Sequence, residues 1–280
     1  DKFESNVIRT SNLLNAVPAA FFKLAQSLPA LIYQDPKSLR IKMFTLAKRL
    51  SMTRKELLHL LWKKPDLLSR TEETLFKAID NFASHLAVEP LLAQKLFIRH
   101  PSLWSVSLST LVGNLDNTAR LLDVPLPVII RAAFAQPQLF YQKPQTIVRN
   151  VTDSAHVLDL TFHSYRAVAI GQPSLLARNP KDMQRKKRLI MYLMRYTNDQ
   201  RSFEEFLHAC KSALTYSPER ILARCLIARW KLSSNKAARL LAMPNKTATL
   251  LLRAHLKNSL GRSAYPVYRR WKDVGLLTSV

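Results

Sequence analysis

Residues 64–69 read Lys-Pro-Asp-Leu-Leu-Ser, and variants of this short stretch recur along the chain. The Pro-Asp-Leu-Leu at 65–68 returns as Pro-Ser-Leu-Trp at 101–104 and as Pro-Gln-Leu-Phe at 137–140. The prolines that open the copies, here called anchor prolines, are 36 residues apart: Pro29, Pro65, Pro101, Pro137 and Pro173. A sixth copy has Lys211 in the proline position, 38 residues further on. A fixed period of roughly 20–50 residues is the sequence signature of a repeat array.

Each copy predicts a helix that begins six or seven residues after the anchor position. Five of the six copies have a helix-capping residue there: Asp35, Thr71, Ser107, Asn179 and Ser217, with Lys143 in the remaining copy. Such side chains accept a hydrogen bond from a free N–H of the first turn. Proline, which fits the first helical position, follows in four copies: Pro36, Pro144, Pro180 and Pro218. We therefore expect every repeat to contain this first helix.

A second helix is predicted before each anchor proline, with apolar residues such as Leu57, Leu60 and Leu61 on one face. The proline ends this helix, and the Pro-x-Leu-apolar segment is then a turn or a brief third helix. The sequence has no strand-length alternation of apolar and polar residues. It predicts an all-α fold: a right-handed α-solenoid superhelix of helical repeats of about 36 residues, each with two helices plus a short third, and a long concave groove.

Two stretches of this chain resemble one family of helical repeat proteins. Residues 52–58, Met-Thr-Arg-Lys-Glu-Leu-Leu, running on to 64–69, resemble a repeat of the mitochondrial transcription termination factor (mTERF) family. Residues 214–224 are similar to the block that begins the family's last repeat. The resemblance implies a nuclear-encoded organellar protein that binds DNA or RNA in transcription, RNA processing or ribosome assembly. It implies a location in the mitochondrion, with the chloroplast as the alternative.

The domain organisation follows from how far the repeat extends. Residues 1–232 are predicted to form the mTERF-like helical repeat array. Residues 233–280 do not match the repeat cleanly, and they are predicted to form a degenerate repeat or a basic C-terminal cap.

The charge of the chain predicts a polyanionic partner. Lys and Arg number 43 against 19 Asp and Glu, giving a net charge of +24 at pH 7. The hydrophobic content of 48% is enough for a folded core and excludes a disordered basic tail. The last hundred residues, 181–280, carry 21 basic and 6 acidic side chains. A surplus of this size favours nucleic acid, because bound phosphates release counterions.

Candidate nucleic-acid-binding residues occupy a few columns of the repeat. On the second helix, six residues before the anchor, these are Lys23, His59, Lys95 and Arg131, with Arg166 one residue out of register. On the first helix, they are Lys42, Lys77, Arg149, Arg185, Lys186 and Arg224, and Arg188 completes the basic cluster 185–188. The alternative is a solvated polar face. Arg269 and Arg270 lie among aromatic residues at 265–272, which could stack on unpaired bases or pack as a cap.

The sequence lacks the motifs of an enzyme. It has no phosphate-binding glycine loop, nucleophile elbow or zinc-ligand spacing, so we predict no enzymatic activity, no cofactor and no metal. The predicted partners are nucleic acid (rRNA, other RNA or duplex DNA) and ribosomal or other ribonucleoprotein proteins, without a membrane or a small-molecule substrate. A code of one base per repeat is not predicted, because no column carries paired polar residues. The alternative functions are a structural subunit of an organellar ribosome that binds rRNA and neighbouring proteins, and a protein-interaction scaffold.

Overall fold

The structure is a computed structural model that describes residues 2–231 and 237–260. These two ranges are largely helical and contain no strand, so the prediction of an all-α fold is confirmed. The α-helices are α1 (Lys2–Leu13), α2 (Pro18–Ser27), α3 (Ala30–Tyr33), α4 (Pro36–Arg49), α5 (Arg54–Lys63), α6 (Glu72–His85), α7 (Pro90–Arg99), α8 (Leu108–Leu122), α9 (Leu126–Ala135), α10 (Gln138–Tyr141), α11 (Pro144–Leu158), α12 (Phe162–Gly171), α13 (Met183–Tyr196), α14 (Phe203–Ala209), α15 (Pro218–Arg229), α16 (Ala237–Ala242) and α17 (Asn245–Leu260). Short 3-10 helices occupy Pro65–Leu68, Pro101–Ser105, Pro173–Leu175, Pro180–Asp182 and Ala213–Thr215.

The helices follow one another in the order that the sequence repeat predicts. The first helices of repeats 1 to 6 are α1, α4, α6, α8, α11 and α13, each of 12 to 15 residues. The second helices are α2, α5, α7, α9, α12 and α14, each of 7 to 10 residues. A third helical segment of three to five residues ends every repeat. Two helices plus a short third is therefore confirmed as the repeating unit.

Helix starts are fixed by the predicted capping side chains. Asp35 accepts a hydrogen bond from the backbone N–H of Ser38 at 2.9 Å, and Thr71 caps α6 in the same way. Lys143 makes no side-chain cap, but Pro144 still opens α11. The cap residues and the proline at the first helical position thus place the first helices as predicted.

The anchor prolines set the geometry of the bend between the second helix and the short third. In all five copies the residue before the anchor proline has φ between −143° and −126° and ψ between 74° and 83°. Proline disfavours the helical conformation in the residue that precedes it, so the second helix ends there. Cys210 adopts a similar conformation, φ −129° and ψ 66°, although Lys211 follows it. The bend in repeat 6 is therefore maintained without a proline.

A left-handed residue follows every first helix, although none of these residues is glycine. Their φ angles lie between 51° and 54°: Asn15, Ser51, Ala87, Asp123, Asp159, Asn198 and Lys231. After all of these except Lys231, the next residue donates its N–H to a carbonyl five residues back, as in Met52 to Ala47 at 2.9 Å and Val88 to Ala83 at 3.0 Å. This Schellman turn satisfies a carbonyl at the helix end, and the second helix begins three to five residues later.

Ala87→Gly is expected to raise the free energy of unfolding by up to about 1 kcal/mol. The left-handed conformation costs an L-residue roughly 1–2 kcal/mol, whereas glycine loses about 0.5–1 kcal/mol more backbone entropy on folding. Ala87 is exposed, so the lost methyl group removes no core packing. Urea unfolding followed by circular dichroism measures the change. Ala78→Gly inside α6 is the control and is expected to cost about 1 kcal/mol; an equal loss in both variants would contradict the explanation.

The described residues divide into two compact units, one up to Asn114 (unit 1) and one from Leu115 onward (unit 2). This division lies within α8, whereas the predicted boundary between residues 232 and 233 lies outside the described residues. The core of unit 1 includes Phe82, Phe97 and Trp104, whose rings meet edge to face with centroids 5.1 and 4.8 Å apart. In unit 2, α13 packs against both α11 and α15.

Candidate nucleic-acid interface

Two of the predicted contact residues are buried. Lys186 is only 1% exposed, and its Nζ donates to the carbonyl oxygen of Leu214 at 2.7 Å. Arg224 is 2% exposed and donates to the carbonyl of Met243 at 2.7 Å and to Asn245 Oδ1 at 2.8 Å. A side chain this deeply buried does not reach a phosphate in solution. We therefore correct the prediction for both residues and leave them out of the interface.

The buried Lys186 and Arg224 share their position in the repeat with the half-buried Lys42. Lys42, Lys186 and Arg224 are each the sixth residue after a proline. For Lys42 and Arg224 that proline opens the helix, and for Lys186 it opens the 3-10 turn before α13. Like Lys186, Lys42 donates to the last residue of a Pro-x-Leu-apolar segment, the carbonyl of Leu68. Cations are stabilised near such free carbonyls at helix ends. These three side chains therefore hydrogen-bond the first helix of a repeat to the chain segment that follows the second helix of the same repeat.

Burial lowers the pKa of two of these groups, Lys42 and Arg224. Desolvation lowers the pKa of Lys42, an effect that the charge of Glu72 partly offsets. Desolvation lowers the pKa of Arg224 to about 10. The Arg224 side chain is therefore still charged at neutral pH, and its two hydrogen bonds compensate part of the cost of its burial.

Arg166 links successive repeats within unit 2. Its half-buried guanidinium donates to the carbonyls of Leu122 and Asp123 at 2.7 and 3.1 Å, at the left-handed turn that ends α8. Gln94 holds the same position of repeat 3 and donates to the carbonyl of Leu50 at 3.1 Å. The hydrogen bonds of Arg166 therefore indicate a structural role between repeats rather than a free cation.

The remaining predicted residues divide by exposure and by where the structure ends. Eight side chains are exposed to solvent: Lys23, His59, Lys77, Lys95, Arg131, Arg149, Arg185 and Arg188. Arg269 and Arg270 lie outside the described residues.

In unit 1, cations line both walls of a groove between α5 and α7, with a volume of about 710 Å³. Lys55, His59 and Lys63 are spaced four residues apart on α5, and Lys95 and Arg99 are four apart on α7. Residues at this spacing lie on one helix face. None of the five side chains forms an ion pair with a described residue.

Glu56 is the one acidic residue among those lining this α5–α7 groove, and it already has a structural role. Its carboxylate accepts a hydrogen bond from the backbone N–H of Thr53 at 2.8 Å, which closes the first turn of α5. This hydrogen bond lowers the pKa of Glu56. The groove therefore keeps a clear positive surplus.

The sequence prediction included Lys95 and His59 in this groove but not Lys55, Lys63 and Arg99. The prediction considered one basic residue per repeat. Lys55 and Lys63 instead add two lysines to α5, and Arg99 adds an arginine to α7. Their four-residue spacing was the available signal.

A second groove in unit 1, of about 920 Å³, lies between α1 and α4. It is also basic, and its cations are Arg9, Lys37, Arg40, Lys48 and Arg54. Asp35, its one acidic lining residue, caps α4. Unit 1 therefore presents two cationic grooves.

In unit 2, three predicted arginines come together on the exposed surface of α11 and α13. Arg149 and Arg185 occupy equivalent positions of successive repeats, on helices that pack side by side. Arg188 follows Arg185 by almost one turn and is also exposed. The neighbouring Lys187 is instead paired with Asp159, and this hydrogen bond lowers the pKa of the Asp159 carboxyl. The cluster 185–188 therefore contributes Arg188, which has no ion pair with a described residue, and Arg185, which lies 3.9 Å from Glu219, rather than four free cations.

Across residues 2–231 and 237–260, no three His, Cys, Asp or Glu side chains are placed to bind a metal ion. The helices in these ranges are all too short or too polar to cross a membrane. No protein-family model matches this chain, and no curated protein is significantly similar to it.

Proposed function

We propose that this is a non-enzymatic, nucleic-acid-binding helical repeat protein of the mTERF type. The observation that carries the proposal is the α5–α7 groove, where Lys55, Lys63, Lys95 and Arg99 face a common space without ion-pair partners among the described residues. Such cations favour a polyanion, because each phosphate they bind releases counterions. The net charge of +24 supports the same class of partner.

In this proposal the repeats wind into a right-handed α-solenoid superhelix, and the protein acts in the mitochondrion or, alternatively, the chloroplast. Its role is in transcription, RNA processing or ribosome assembly, with rRNA, other RNA or duplex DNA as the partner. The resemblance of residues 52–69 and 214–224 to mTERF repeats supports these assignments.

Phosphate binding in the groove follows from its helical walls. A helix rises about 1.5 Å per residue, so Lys55 and Lys63 are about 12 Å apart along the axis of α5. Lys95 and Arg99 on α7 face them from the other wall. A sugar–phosphate chain lying in the groove would contact cations on both sides, with affinity largely independent of base sequence.

Lys63→Gln combined with Lys95→Gln is expected to weaken binding to both duplex DNA and RNA. Each lysine neutralises about one phosphate, and the slope of log affinity against log salt changes by roughly 0.9 per phosphate on B-DNA. The slope on duplex DNA is therefore expected to flatten by about two units. Fluorescence anisotropy titrations at several salt concentrations measure both quantities.

Lys77→Gln combined with Arg120→Gln removes the same charge and is the matched control. Lys77 was a candidate from the sequence, but it lines neither cationic groove of unit 1 and lies one turn from both Glu73 and Asp80. Arg120 is paired with Asp116. This control is expected to bind nearly as well as the unaltered protein. Equal weakening in the two double variants would remove the α5–α7 groove from the proposal. Failure of the unaltered protein to bind DNA and RNA at low salt would refute nucleic-acid binding altogether.

A further inference from the structure

Two exposed tyrosines lie among arginines on α13. Tyr192 is 53% exposed and Tyr196 is 44% exposed. Arg188 precedes Tyr192 by four residues, and Arg195 follows it by three, so all four share one face of the helix. Arg188 and Arg195 are exposed and form no ion pair with a described residue.

The fold of unit 2 does not account for this exposure. Its core already contains buried aromatic side chains such as Phe140, Tyr165 and Phe206. Of the six large apolar side chains that are exposed in the described part of unit 2, three are neighbours on α13: Met191, Tyr192 and Tyr196. The exposed rings are thus concentrated where the unpaired arginines are.

We infer that α13 binds single-stranded nucleic acid by stacking of unpaired bases on Tyr192 and Tyr196. Arg185, Arg188 and Arg195 hold the adjoining phosphates. The faces of unpaired bases are free for such stacking, whereas in a duplex they are covered by the neighbouring base pairs. This inference rests on the proposed function and names its substrate class.

The chemistry of the surface favours a single strand over a protein partner. Tyrosine and arginine are also common in protein interfaces, but α13 carries five basic residues and no acidic one, a surplus that favours a polyanion. Here Arg188 and Arg195 lie on the same face as Tyr192, one turn to either side of it. Arg185 is 63% exposed and forms a long ion pair with Glu219 at 3.9 Å. Aromatic rings interleaved with cations are the arrangement that binds single strands with little sequence preference.

The test compares a Tyr192→Leu/Tyr196→Leu variant with a Tyr192→Phe/Tyr196→Phe variant of the full chain. Leucine removes the ring but retains helix propensity, whereas phenylalanine retains the ring. Fluorescence anisotropy is measured with a labelled single-stranded RNA of about 20 nucleotides and with the duplex of the same sequence. The leucine variant is expected to lose about tenfold or more in single-strand affinity. The phenylalanine variant is expected to bind as the unaltered protein does, and duplex affinity is expected to be the same for all three proteins.

Three outcomes would overturn the inference. Unchanged single-strand affinity in the leucine variant would show that Tyr192 and Tyr196 do not stack on bases. An equal loss for single strand and duplex would exclude base stacking as the cause. Binding of the duplex alone by the unaltered protein would overturn the single-strand site while leaving the proposed function intact, whereas binding of neither would refute the proposed function itself. Circular dichroism of each variant verifies that the helices are retained.

Discussion

Lys186→Glu is expected to lower the free energy of unfolding by at least about 3 kcal/mol. Lys186 is 1% exposed and donates to the carbonyl of Leu214. A carboxylate at this position would face that carbonyl with no hydrogen to donate, and it would be desolvated as well. The glutamate must either protonate or force the side chain out of the core, and both cost stability. Urea unfolding followed by circular dichroism measures the loss.

Arg188→Glu provides the comparison, because it makes the same change of charge two residues away. Arg188 is exposed and unpaired, so its replacement is expected to change stability by no more than about 0.5 kcal/mol. It is expected to weaken nucleic-acid binding instead. The structural assignment of Lys186 fails if the two variants unfold at the same urea concentration.

The helical repeat was predictable because it depends on local chemistry. The spacing of Pro65 and Pro101 gives the period, capping residues such as Asp35 give the helix starts, and proline gives the helix ends. The left-handed turns were not predictable in the same way, since Ala87 carries no sign of its positive φ. Hydrogen bonds across the whole turn determine that conformation, and they are not visible in the residue type.

The candidate site was only partly predictable, because a charged residue does not declare which face of its helix is buried. Lys186 was grouped with its basic neighbours, although it lies three residues after Met183 and four before Ile190, which are both buried. That spacing placed it on the buried face of α13, and it was the signal that could have corrected the prediction. For the α5–α7 groove, the two four-residue steps from Lys55 to Lys63 showed that these residues share a face of α5, but not that α7 lies opposite, because the two helices belong to different repeats.

The tryptophan in the repeated Pro-x-Leu-apolar segment is the other position where a single change is expected to have a large effect. Trp104→Ala is expected to lower the free energy of unfolding by about 3–5 kcal/mol, because it opens a cavity in unit 1. The Trp104 ring meets Phe97 at a centroid distance of 4.8 Å, and Phe97 in turn meets Phe82. Arg70 donates to the backbone carbonyl of Trp104, so this contact is retained in the variant.

Trp104→Phe separates the ring from the indole N–H and is expected to cost less than about 1.5 kcal/mol. Among the described residues, the buried indole nitrogen has no hydrogen-bond partner. Phenylalanine removes that unpaired donor, which offsets part of the lost packing. It is also the residue type at the equivalent position of the next repeat, Phe140. Trp62→Ala is the control, because Trp62 lies in the same unit and is 38% exposed. Urea unfolding measures the loss of stability in each variant. Equal losses for Trp62→Ala and Trp104→Ala would contradict a core role for Trp104.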